Sequence, residues 1–411
     1  MTSRERVKKV LNFEVPDRPA IDLGSTRMTG ISAWIYRELK RRLGIKSDEV
    51  KVFDLSQMLA EVELQVLDRL RCDFVMLPMQ SLKFELKYGD WKDYTFWDGQ
   101  TFKVPSEFNP RVTEEGTLLI GDTPNWKKET RRMPKGCRYL DRIEYPDIKT
   151  VDFDISHIDK KDWVFSKPLS GEFLKTEENN AKILKQSTDK AIVSSGGISG
   201  AWGMPAGYGG VIGWGIKMAL DPNHAKEYMM AEAEALSKRI KLYLEAVGNY
   251  IDIIVVSGTD FGAQKKEQFN PELFKEFFVP AWKIVTDTIH KFDDIKIFIH
   301  SCGCVKDLIP YFIDAGVDIY NPVQWSADNM DREELKKEFG NKIVFWGGAV
   351  NTQKTFPFGT PDEVRKEVRE TINILGRDGG YVVNPVHNIQ ADVPVENIIA
   401  LYETAKNYRY G

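Results

Sequence analysis

The sequence predicts an α/β protein, a (β/α)8 barrel of the TIM type that carries an inserted β-rich hairpin segment. Three observations predict this class. Eight short apolar runs are typical of strands, and from residue 191 onward they alternate regularly with helical segments. Such alternation is typical of a parallel sheet covered by helices. Polar residues directly follow several of these strands, as they do at the carboxyl-terminal face of barrels, where active sites lie. A doubly wound open sheet is the alternative fold.

The eight candidate strands are short, and turn residues bound most of them. They begin at residues 20, 74, 191, 252, 296, 318, 343 and 381. The segments between them have apolar residues three and four positions apart, which predicts amphipathic helices. These helices are expected at residues 3–13, 31–43, 57–71, 169–188, 222–247, 271–292, 304–314, 331–339, 361–376 and 394–407.

Residues 83–150 interrupt this alternation of strands and helices. Aromatic and polar residues alternate there, and turns that contain glycine recur, a pattern that predicts β-hairpins. We therefore interpret residues 1–411 as a single barrel domain with 83–150 as an inserted flap. A run of basic residues at 127–135 is compatible with docking of a partner or with a solvated surface.

The composition is that of an ordinary globular protein. The 411 residues are 42% hydrophobic and 29% charged, with a net charge of -4, so the charge does not favour nucleic acid as a partner. The amino terminus lacks the apolar core of a signal peptide, and no run of about 18 apolar residues predicts a membrane span. Four cysteines are too few for a disulfide framework. We therefore expect a soluble, cytoplasmic protein.

A candidate metal site lies at the end of the predicted strand that begins at Lys296. That strand ends on His300, and Cys302 follows two residues later. Alternate side chains share one face of a strand, so both groups can point at one place. His387, which follows the last strand, is the best third ligand, and Gln324 is a weaker one because an amide oxygen binds zinc poorly. Three protein ligands are typical of catalytic zinc; a metal-free set of hydrogen-bonding groups is the alternative.

Other candidate site residues follow the predicted strands or lie in a glycine-rich stretch. Asp260 and Gln324 are the candidate catalytic residues. The glycine-rich stretch 196–213 lets backbone and rings approach a ligand closely, although a flexible loop without a ligand is an equal alternative. The aromatic candidates are equally compatible with barrel packing. The full set of expected substrate-binding residues is Arg27, Trp202, Tyr208, Gln264, Trp325, Trp346 and Gln390.

Six stretches of the sequence carry a family resemblance. They are Ser3-Arg-Glu-Arg-Val-Lys-Lys-Val-Leu-Asn12 with Pro16-Asp-Arg-Pro19, Gly258-Thr-Asp-Phe-Gly-Ala-Gln264, His300-Ser-Cys-Gly303, Asn321-Pro-Val-Gln324, Phe345-Trp-Gly-Gly348, and Asn384-Pro-Val-His-Asn-Ile-Gln-Ala-Asp-Val-Pro-Val-Glu-Asn397. Over nearly its full length the chain resembles the uroporphyrinogen decarboxylase superfamily, which includes corrinoid-linked and coenzyme M methyltransferases.

The resemblance implies a particular ligand set and a departure from it. In the zinc methyltransferases of the superfamily, a His-x-Cys pair and a later cysteine hold zinc. His300 and Cys302 match the pair, whereas His387 stands where the later cysteine is expected. Uroporphyrinogen decarboxylases grip a polycarboxylate with several arginines, and the corresponding loop here has only Arg27. Such recognition depends on several bidentate pairs, so this decarboxylation is disfavoured.

The resemblance therefore implies a methyltransferase that moves a methyl group from a small donor to the cobalt(I) of a corrinoid protein. O-demethylation of a methoxylated aromatic compound fits best, with zinc as Lewis acid. The corrinoid is expected on a partner protein, and the barrel is compatible with a homodimer. One alternative is a metal-independent decarboxylase with Asp260 as its acid-base group. Another is a protein that binds a corrinoid or tetrapyrrole without turnover.

Overall fold

A computed structural model describes residues 1–144, 169–195, 210–256, 259–292 and 294–410 of the chain. Trp202, Tyr208 and residues 145–150 of the predicted insertion lie outside the described residues. The helices are α1 (Ser3–Leu11), α2 (Ala33–Arg42), α3 (Leu64–Leu70), α4 (Gly171–Ser187), α5 (Gly210–Leu220), α6 (Pro222–Val247), α7 (Pro271–Ile289), α8 (Ile309–Asp314), α9 (Arg332–Phe339), α10 (Thr355–Phe358), α11 (Pro361–Leu375) and α12 (Val395–Asn407).

The strands fall into a main sheet and three small ones. They are β1 (Ala20–Ile21), β2 (Val52–Asp54), β3 (Leu59–Ala60), β4 (Phe74–Met76), β5 (Trp91–Thr95), β6 (Thr101–Pro105), β7 (Arg111–Val112), β8 (Leu118–Ile120), β9 (Arg131–Met133), β10 (Asp141–Arg142), β11 (Ala191–Ser194), β12 (Ile253–Val255), β13 (Lys296–His300), β14 (Ile319–Asn321), β15 (Val344–Trp346) and β16 (Tyr381–Val383).

The main sheet contains the eight predicted strands in the order β1-β16-β15-β14-β13-β12-β11-β4. All seven pairs are parallel. Asp73 bridges the two edge strands, because its N–H donates to the carbonyl of Ile21 at 2.7 Å and its carboxylate accepts from the N–H of Ile21 at 2.9 Å. The predicted (β/α)8 barrel is therefore confirmed, and the open doubly wound sheet is excluded by the sequential strand order.

Two further aspartates join neighbouring strands in the same way as Asp73. The carboxylate of Asp252 accepts from the N–H of Ile192, and its own N–H donates to the carbonyl of Ile192. Asp318 makes the same pair of contacts with Ile297. Each aspartate immediately precedes a strand. These side chains therefore extend the parallel hydrogen bonding beyond the amino ends of three strands.

The barrel interior is apolar toward the amino-terminal ends of the strands and polar at their carboxyl-terminal ends. Inward residues of the strands form one cluster with Val7, Val10 and Leu11, so α1 closes the amino-terminal end of the barrel. This helix begins at a capping box formed by Thr2 and Glu5. The inward cluster from the strands and their neighbours is Ala20, Phe74, Ala191, Val193, Ile253, Val255, Phe298, Ile319, Val344, Trp346 and Val382.

Two segments differ from the prediction. The helix expected at 57–71 begins only at Leu64, because β2 and β3 form an antiparallel pair before it. The Asp54 carboxylate accepts from the N–H groups of Ser56 and Gln57, which satisfies them in a tight turn rather than in a helix. The stretch 196–213 was expected to be a loop, but its last residues belong to α5.

The predicted hairpins are present in the inserted segment. Strands β5 and β6 form one antiparallel hairpin with five residue pairs. Strands β7 to β10 form a second antiparallel sheet in the order β10-β9-β8-β7. Tyr139, between β9 and β10, donates a hydrogen bond from its hydroxyl to the Gln390 side chain, so this sheet contacts the loop that follows β16.

Within the described ranges, no helix combines the length and apolar character needed to cross a membrane.

Candidate metal centre

Strand β13 positions the first two candidate ligands. Its alternate residues Phe298 and His300 point into the barrel, so His300 lies directly above the apolar interior. Cys302 follows on the loop at the carboxyl end of the strand, and His387 lies on the loop after β16. The mouth of the barrel therefore brings together residues that are 85 positions apart in sequence.

His300, Cys302 and His387 form the cluster that the sequence predicts. One ligand atom from each residue lies within 4.8 Å of the other two. The Sγ atom of Cys302 is 3.3 Å from Nε2 of His300, and the two imidazole rings have their centroids 5.6 Å apart. Two ligands of a tetrahedral zinc ion at ordinary bond lengths stand about 3.5 Å apart, so the spacing suits one metal ion.

Asn321 fixes the tautomer of His300. Its Nδ2 donates to the carbonyl of Trp346 at 3.0 Å, which leaves Oδ1 as the acceptor that faces Nδ1 of His300 at 2.5 Å. Nδ1 must then carry the proton, and Nε2 presents a lone pair toward Cys302 and His387. A hydrogen bond of this type on the second nitrogen is typical of metal-binding histidines.

The protonation states also suit a cation. Burial lowers the pKa of His300, and burial together with His300 lowers the pKa of His387 to about 4. Both imidazoles are therefore neutral at pH 7, as a ligand must be. Burial and the neighbouring Asp260 raise the pKa of the Cys302 thiol. A bound divalent cation would favour the thiolate instead, so this donor set of two imidazoles and one sulfur fits zinc.

Asp260 lies beside the cluster rather than within it. Its Oδ1 accepts from the N–H of Cys302 at 2.8 Å and is 3.7 Å from Nε2 of His300. About half of its side chain is exposed, at 48%. The carboxylate therefore fixes the backbone of one candidate ligand while it remains open to a molecule in the mouth.

Two glycines allow the loops of the centre to touch. Gly303 has φ +89°, and a side chain there would lie 2.5 Å from the backbone of Gly262. A side chain on Gly262 would in turn lie 2.6 Å from the carbonyl oxygen of Cys302. Cys304 points away from this contact, with Sγ 3.5 Å from Oε1 of Glu267. Cys304 is therefore outside the cluster.

Two predicted glutamines connect the loops of three strands. Gln324 accepts at Oε1 from the N–H of Gly303 at 2.8 Å. Its Nε2 lies 3.4 Å from Oε1 of Gln264, and Gln264 donates to the carbonyl of Ser326 at 2.6 Å. Trp325 is anchored beside them by a 2.8 Å bond from Nε1 to the carbonyl of Gly348. These residues therefore line one side of the loop that carries Cys302.

The remaining described candidates have partners outside the cluster. Trp346 is fully buried in the barrel interior, where its ring packs on Phe74 and Phe298, so it lies below the mouth. Arg27 forms two bonds to the buried carboxylate of Asp54, at 2.6 and 2.8 Å. Gln390 contacts the inserted segment through Tyr139.

Sequence reasoning missed Asn321 and Asp22. Asn321 pairs with His300 across β13 and β14, and a polar residue that ends a neighbouring strand was the available signal. Asp22 directly follows β1, is fully buried, and accepts from Nε1 of Trp346 at 3.1 Å. Burial raises its pKa to about 6. A lone aspartate after a two-residue strand gave little reason to single it out.

The protein is thus a (β/α)8 barrel with a candidate metal site of two histidines and one cysteine at its carboxyl-terminal mouth. Comparison with known proteins then gives the family. The profile of the uroporphyrinogen decarboxylase family matches residues 182–408, and the chain belongs to this family.

Individual relatives are distant. The uroporphyrinogen decarboxylase of Trichodesmium erythraeum is 26% identical over 193 residues, which are 46% of this chain and 52% of that protein. The enzyme of Crocosphaera subtropica is 24% identical over 198 residues, 46% of this chain and 53% of its own. The chain thus matches about half the length of these curated relatives. A methyltransferase structure from Methanosarcina mazei has a TM-score of 0.52 and 15% identity, with 99% of this chain and 98% of that chain covered. The last likeness establishes the fold alone.

Proposed function

We propose that this protein is a methyltransferase that moves a methyl group from a small methoxylated aromatic donor to the cobalt(I) of a corrinoid carried by a partner protein. The observation that carries the proposal is the cluster of His300, Cys302 and His387 at the barrel mouth. This cluster would hold zinc, which supplies Lewis acidity toward the ether oxygen of the donor. The structural neighbour from Methanosarcina mazei is itself called a methyltransferase, which agrees with this reading.

The protein's own residues have three tasks in this reaction. Asp260, half exposed beside the cluster, orients the donor oxygen and, in its carboxylic acid form, supplies a proton to it as it leaves. Gln324 and Gln264 line the mouth, and the long 3.4 Å contact between them leaves the Gln324 amide able to donate to a ring substituent. Trp325 lies beside them with the guanidinium of Arg332 over its ring at 4.3 Å, and we propose that the ring's other face contacts the donor. The remaining proposed donor contacts are Arg27, Gln390, Trp202 and Tyr208. Trp346 is not among them, because its fully buried ring packs below the mouth.

The electron balance requires no nucleophile from this chain. The bond between the methyl carbon and the ether oxygen breaks, and the oxygen keeps the bonding pair. The cobalt(I) corrinoid of the partner protein would supply both electrons of the new bond to the methyl carbon. The phenolate then takes one proton. Neither of the cysteines near the mouth needs to form a covalent intermediate.

A metal-independent decarboxylase is the second candidate. The uroporphyrinogen decarboxylases among the relatives favour it, and Asp260 would then be the acid-base group. The ligand geometry around His300 counts against it, because Asn321 already holds that imidazole in the tautomer that a metal requires.

Metal content separates the two candidates. We expect about one zinc per chain after zinc loading and dialysis of the wild type, loss of that zinc in Cys302→Ser, and retention in the matched control Cys304→Ser. The zinc-loaded wild type should then transfer methyl groups from methoxybenzenes to cob(I)alamin. A wild-type protein that retains no zinc after this treatment would overturn the methyltransferase assignment and favour the decarboxylase.

A further inference from the structure

Four cationic side chains converge beside the barrel mouth. Arg27 follows β1, whereas Lys83, Arg131 and Arg142 belong to the inserted segment. Lys83 donates from Nζ to the hydroxyl of Ser56 at 2.8 Å. Burial lowers the pKa of Lys83, the carboxylate of Asp54 opposes this, and the positive charges of Arg27, Arg131 and Arg142 lower it further. Arg131 and Arg142 are opposite each other on β9 and β10, and the guanidinium of Arg131 lies 5.7 Å from the ring of Phe84, the residue next to Lys83. The cations therefore form one group around Lys83.

The one buried carboxylate within this group is already saturated. Oδ2 of Asp54 accepts both bonds from Arg27. Oδ1 accepts from the N–H and the hydroxyl of Ser56 and from the N–H of Gln57. Burial alone would raise the pKa of Asp54, but Arg27 and Lys83 outweigh it and lower the pKa to about 2. Asp54 is therefore ionised and has no acceptor capacity left for a further cation.

The remaining charges are only partly compensated. Arg131 pairs with Asp122 at 2.9 Å. Arg142 is exposed, whereas Lys83 reaches the surface with its ammonium partly enclosed. Neither forms an ion pair with any residue in the described part of the chain. Within the described ranges, the ion pairs of these four side chains involve two carboxylates, those of Asp54 and Asp122, in a chain whose overall net charge is -4. A local excess of positive charge beside a cleft attracts anionic ligands.

This cationic group adjoins the loop of the third metal-ligand candidate. Asn388 directly follows His387 and donates from Nδ2 to the carbonyl of Arg27 at 2.9 Å. The inserted segment reaches the same loop through the hydrogen bond of Tyr139 to Gln390. Leu140 donates from its N–H to the carbonyl of Ser56 at 3.0 Å. The backbone that carries His387 is thus connected to the backbone that carries the cations by single hydrogen bonds.

We propose that Lys83 and Arg142, together with Arg27 and Arg131, form a subsite for the carboxylate of the methyl donor, so that the substrate class is methoxylated aromatic carboxylic acids. This inference rests on the proposed function and deepens it. The ring lies between the metal centre and the inserted segment. The carboxylate receives charge-assisted hydrogen bonds from the two unpaired cations, and the inserted segment acts in donor selection.

The test measures binding alone, without corrinoid or turnover. Isothermal titration calorimetry of the zinc-loaded protein compares 3-methoxybenzoate with methoxybenzene, its neutral analogue, and with inorganic phosphate. We expect 3-methoxybenzoate to bind at least tenfold more tightly than either, because one charge-assisted hydrogen bond corresponds to roughly a tenfold change in affinity. Its affinity should also fall as salt is raised.

Substitutions assign the effect to the cations. Lys83→Gln and Arg142→Gln should each weaken 3-methoxybenzoate roughly tenfold, and both should leave methoxybenzene unchanged. The matched control is Lys92→Gln, which removes a cation of the same inserted segment that donates to Asn109; it should change neither affinity. We expect these substitutions to leave the fold intact, and an unchanged midpoint of thermal unfolding checks this.

Three results would overturn the subsite. The first is equal affinity for 3-methoxybenzoate and methoxybenzene. The second is an unchanged affinity for 3-methoxybenzoate in the Lys83→Gln/Arg142→Gln double variant. The third is binding of phosphate as tight as that of 3-methoxybenzoate. Failure of the proposed function gives a different result. In that case 3-methoxybenzoate binds with the expected charge dependence, but its methyl group is not transferred to cob(I)alamin.

Discussion

Nδ1 of His300 lies 2.5 Å from Oδ1 of Asn321, and the two residues stand side by side on neighbouring strands of the barrel. The Asn321 amide cannot rotate freely, because its Nδ2 is held by the carbonyl of Trp346. The imidazole is thus oriented by the rigid sheet rather than by a loop. Preorganisation of this kind lowers the cost of binding a metal.

Asn321→Ala should weaken zinc binding by roughly 10- to 100-fold, the usual effect of removing such a partner. Asn321→Asp keeps an acceptor opposite Nδ1, so it should bind zinc more tightly than the alanine variant. Competition with a chromogenic chelator measures both affinities. Asn373→Ala, an exposed position that accepts from Tyr408, is the control and should bind zinc like the wild type. Equal zinc affinity in the wild type and Asn321→Ala would contradict the assigned role.

The contact between Gly262 and Gly303 predicts a second effect. Gly303→Ala meets both an unfavourable φ of +89° and a backbone atom 2.5 Å away. Gly136→Ala meets almost the same φ, +90°, but nothing within 4 Å. We expect Gly136→Ala to cost about 1 kcal/mol of unfolding free energy and Gly303→Ala about 1–3 kcal/mol more. Urea unfolding measures both. Only Gly303→Ala should also lose zinc, and equal losses of stability would refute the close contact.

The barrel seam, where Asp73 joins the edge strands β1 and β4, predicts a third effect. The fully buried carboxylate of Asp73 binds Arg6 at 2.8 Å and Arg18 at 2.8 and 3.0 Å. Asp73→Asn keeps the shape of the side chain but leaves the buried guanidinium of Arg18 without its counter-charge and leaves Arg6 paired with Asp17 alone. This should cost about 3–5 kcal/mol. Asp252→Asn is the matched control, since Asp252 has the same backbone contacts but its cationic partners Arg4 and Lys185 are partly exposed.

Asp252→Asn should cost only about 1 kcal/mol, the usual net value of a hydrogen bond. Differential scanning calorimetry of the two variants compares their stabilities. A loss in Asp252→Asn as large as that in Asp73→Asn would mean that the backbone contacts, rather than the buried charges, hold the seam closed.

The barrel could be predicted from sequence because each of its strands is an apolar run bounded by turn residues. That signal is local, and all eight strands are where it indicates. The pair β2 and β3 was missed because residues 57–71 have apolar residues at helical spacing, and the turn depends on the Asp54 carboxylate. The helical pattern of this segment was outweighed there by the hydrogen bonds that the Asp54 side chain accepts from the backbone.

The metal-ligand candidates were predictable, whereas their supports were not. Histidine and cysteine are the side chains that most often bind zinc, and a barrel brings the carboxyl ends of its strands together. The sequence could therefore single out His300, Cys302 and His387. The partners of Arg27 and Gln324 could not be predicted, because Asp54 and Gly303 become neighbours only through the arrangement of loops. The three candidate ligands were therefore predictable as neighbours at the mouth, and the structure adds the contacts that hold them.

Asp22 predicts a pH dependence of stability. Its side chain is fully buried, and its carboxylate accepts from the N–H of Ser25 and from Nε1 of Trp346. Burial raises its pKa from 3.8 to about 6. The folded state then binds the proton more tightly than the unfolded state. Ionised Asp22 therefore destabilises the fold above pH 6, and this destabilisation disappears as the pH falls toward 4.

Asp22→Asn removes this titration and leaves the other groups as they are, so the difference between the two proteins isolates Asp22. The unfolding free energy of the wild type, minus that of Asp22→Asn, should rise by about 2 kcal/mol as the pH falls from 7 to 4. Urea unfolding at several pH values measures this difference. A constant difference would mean that Asp22 titrates alike in the folded and unfolded states, and a difference that falls with pH would reverse the sign of the argument. The Asp22 carboxylate would then be stabilised by its hydrogen bonds more than it is destabilised by burial.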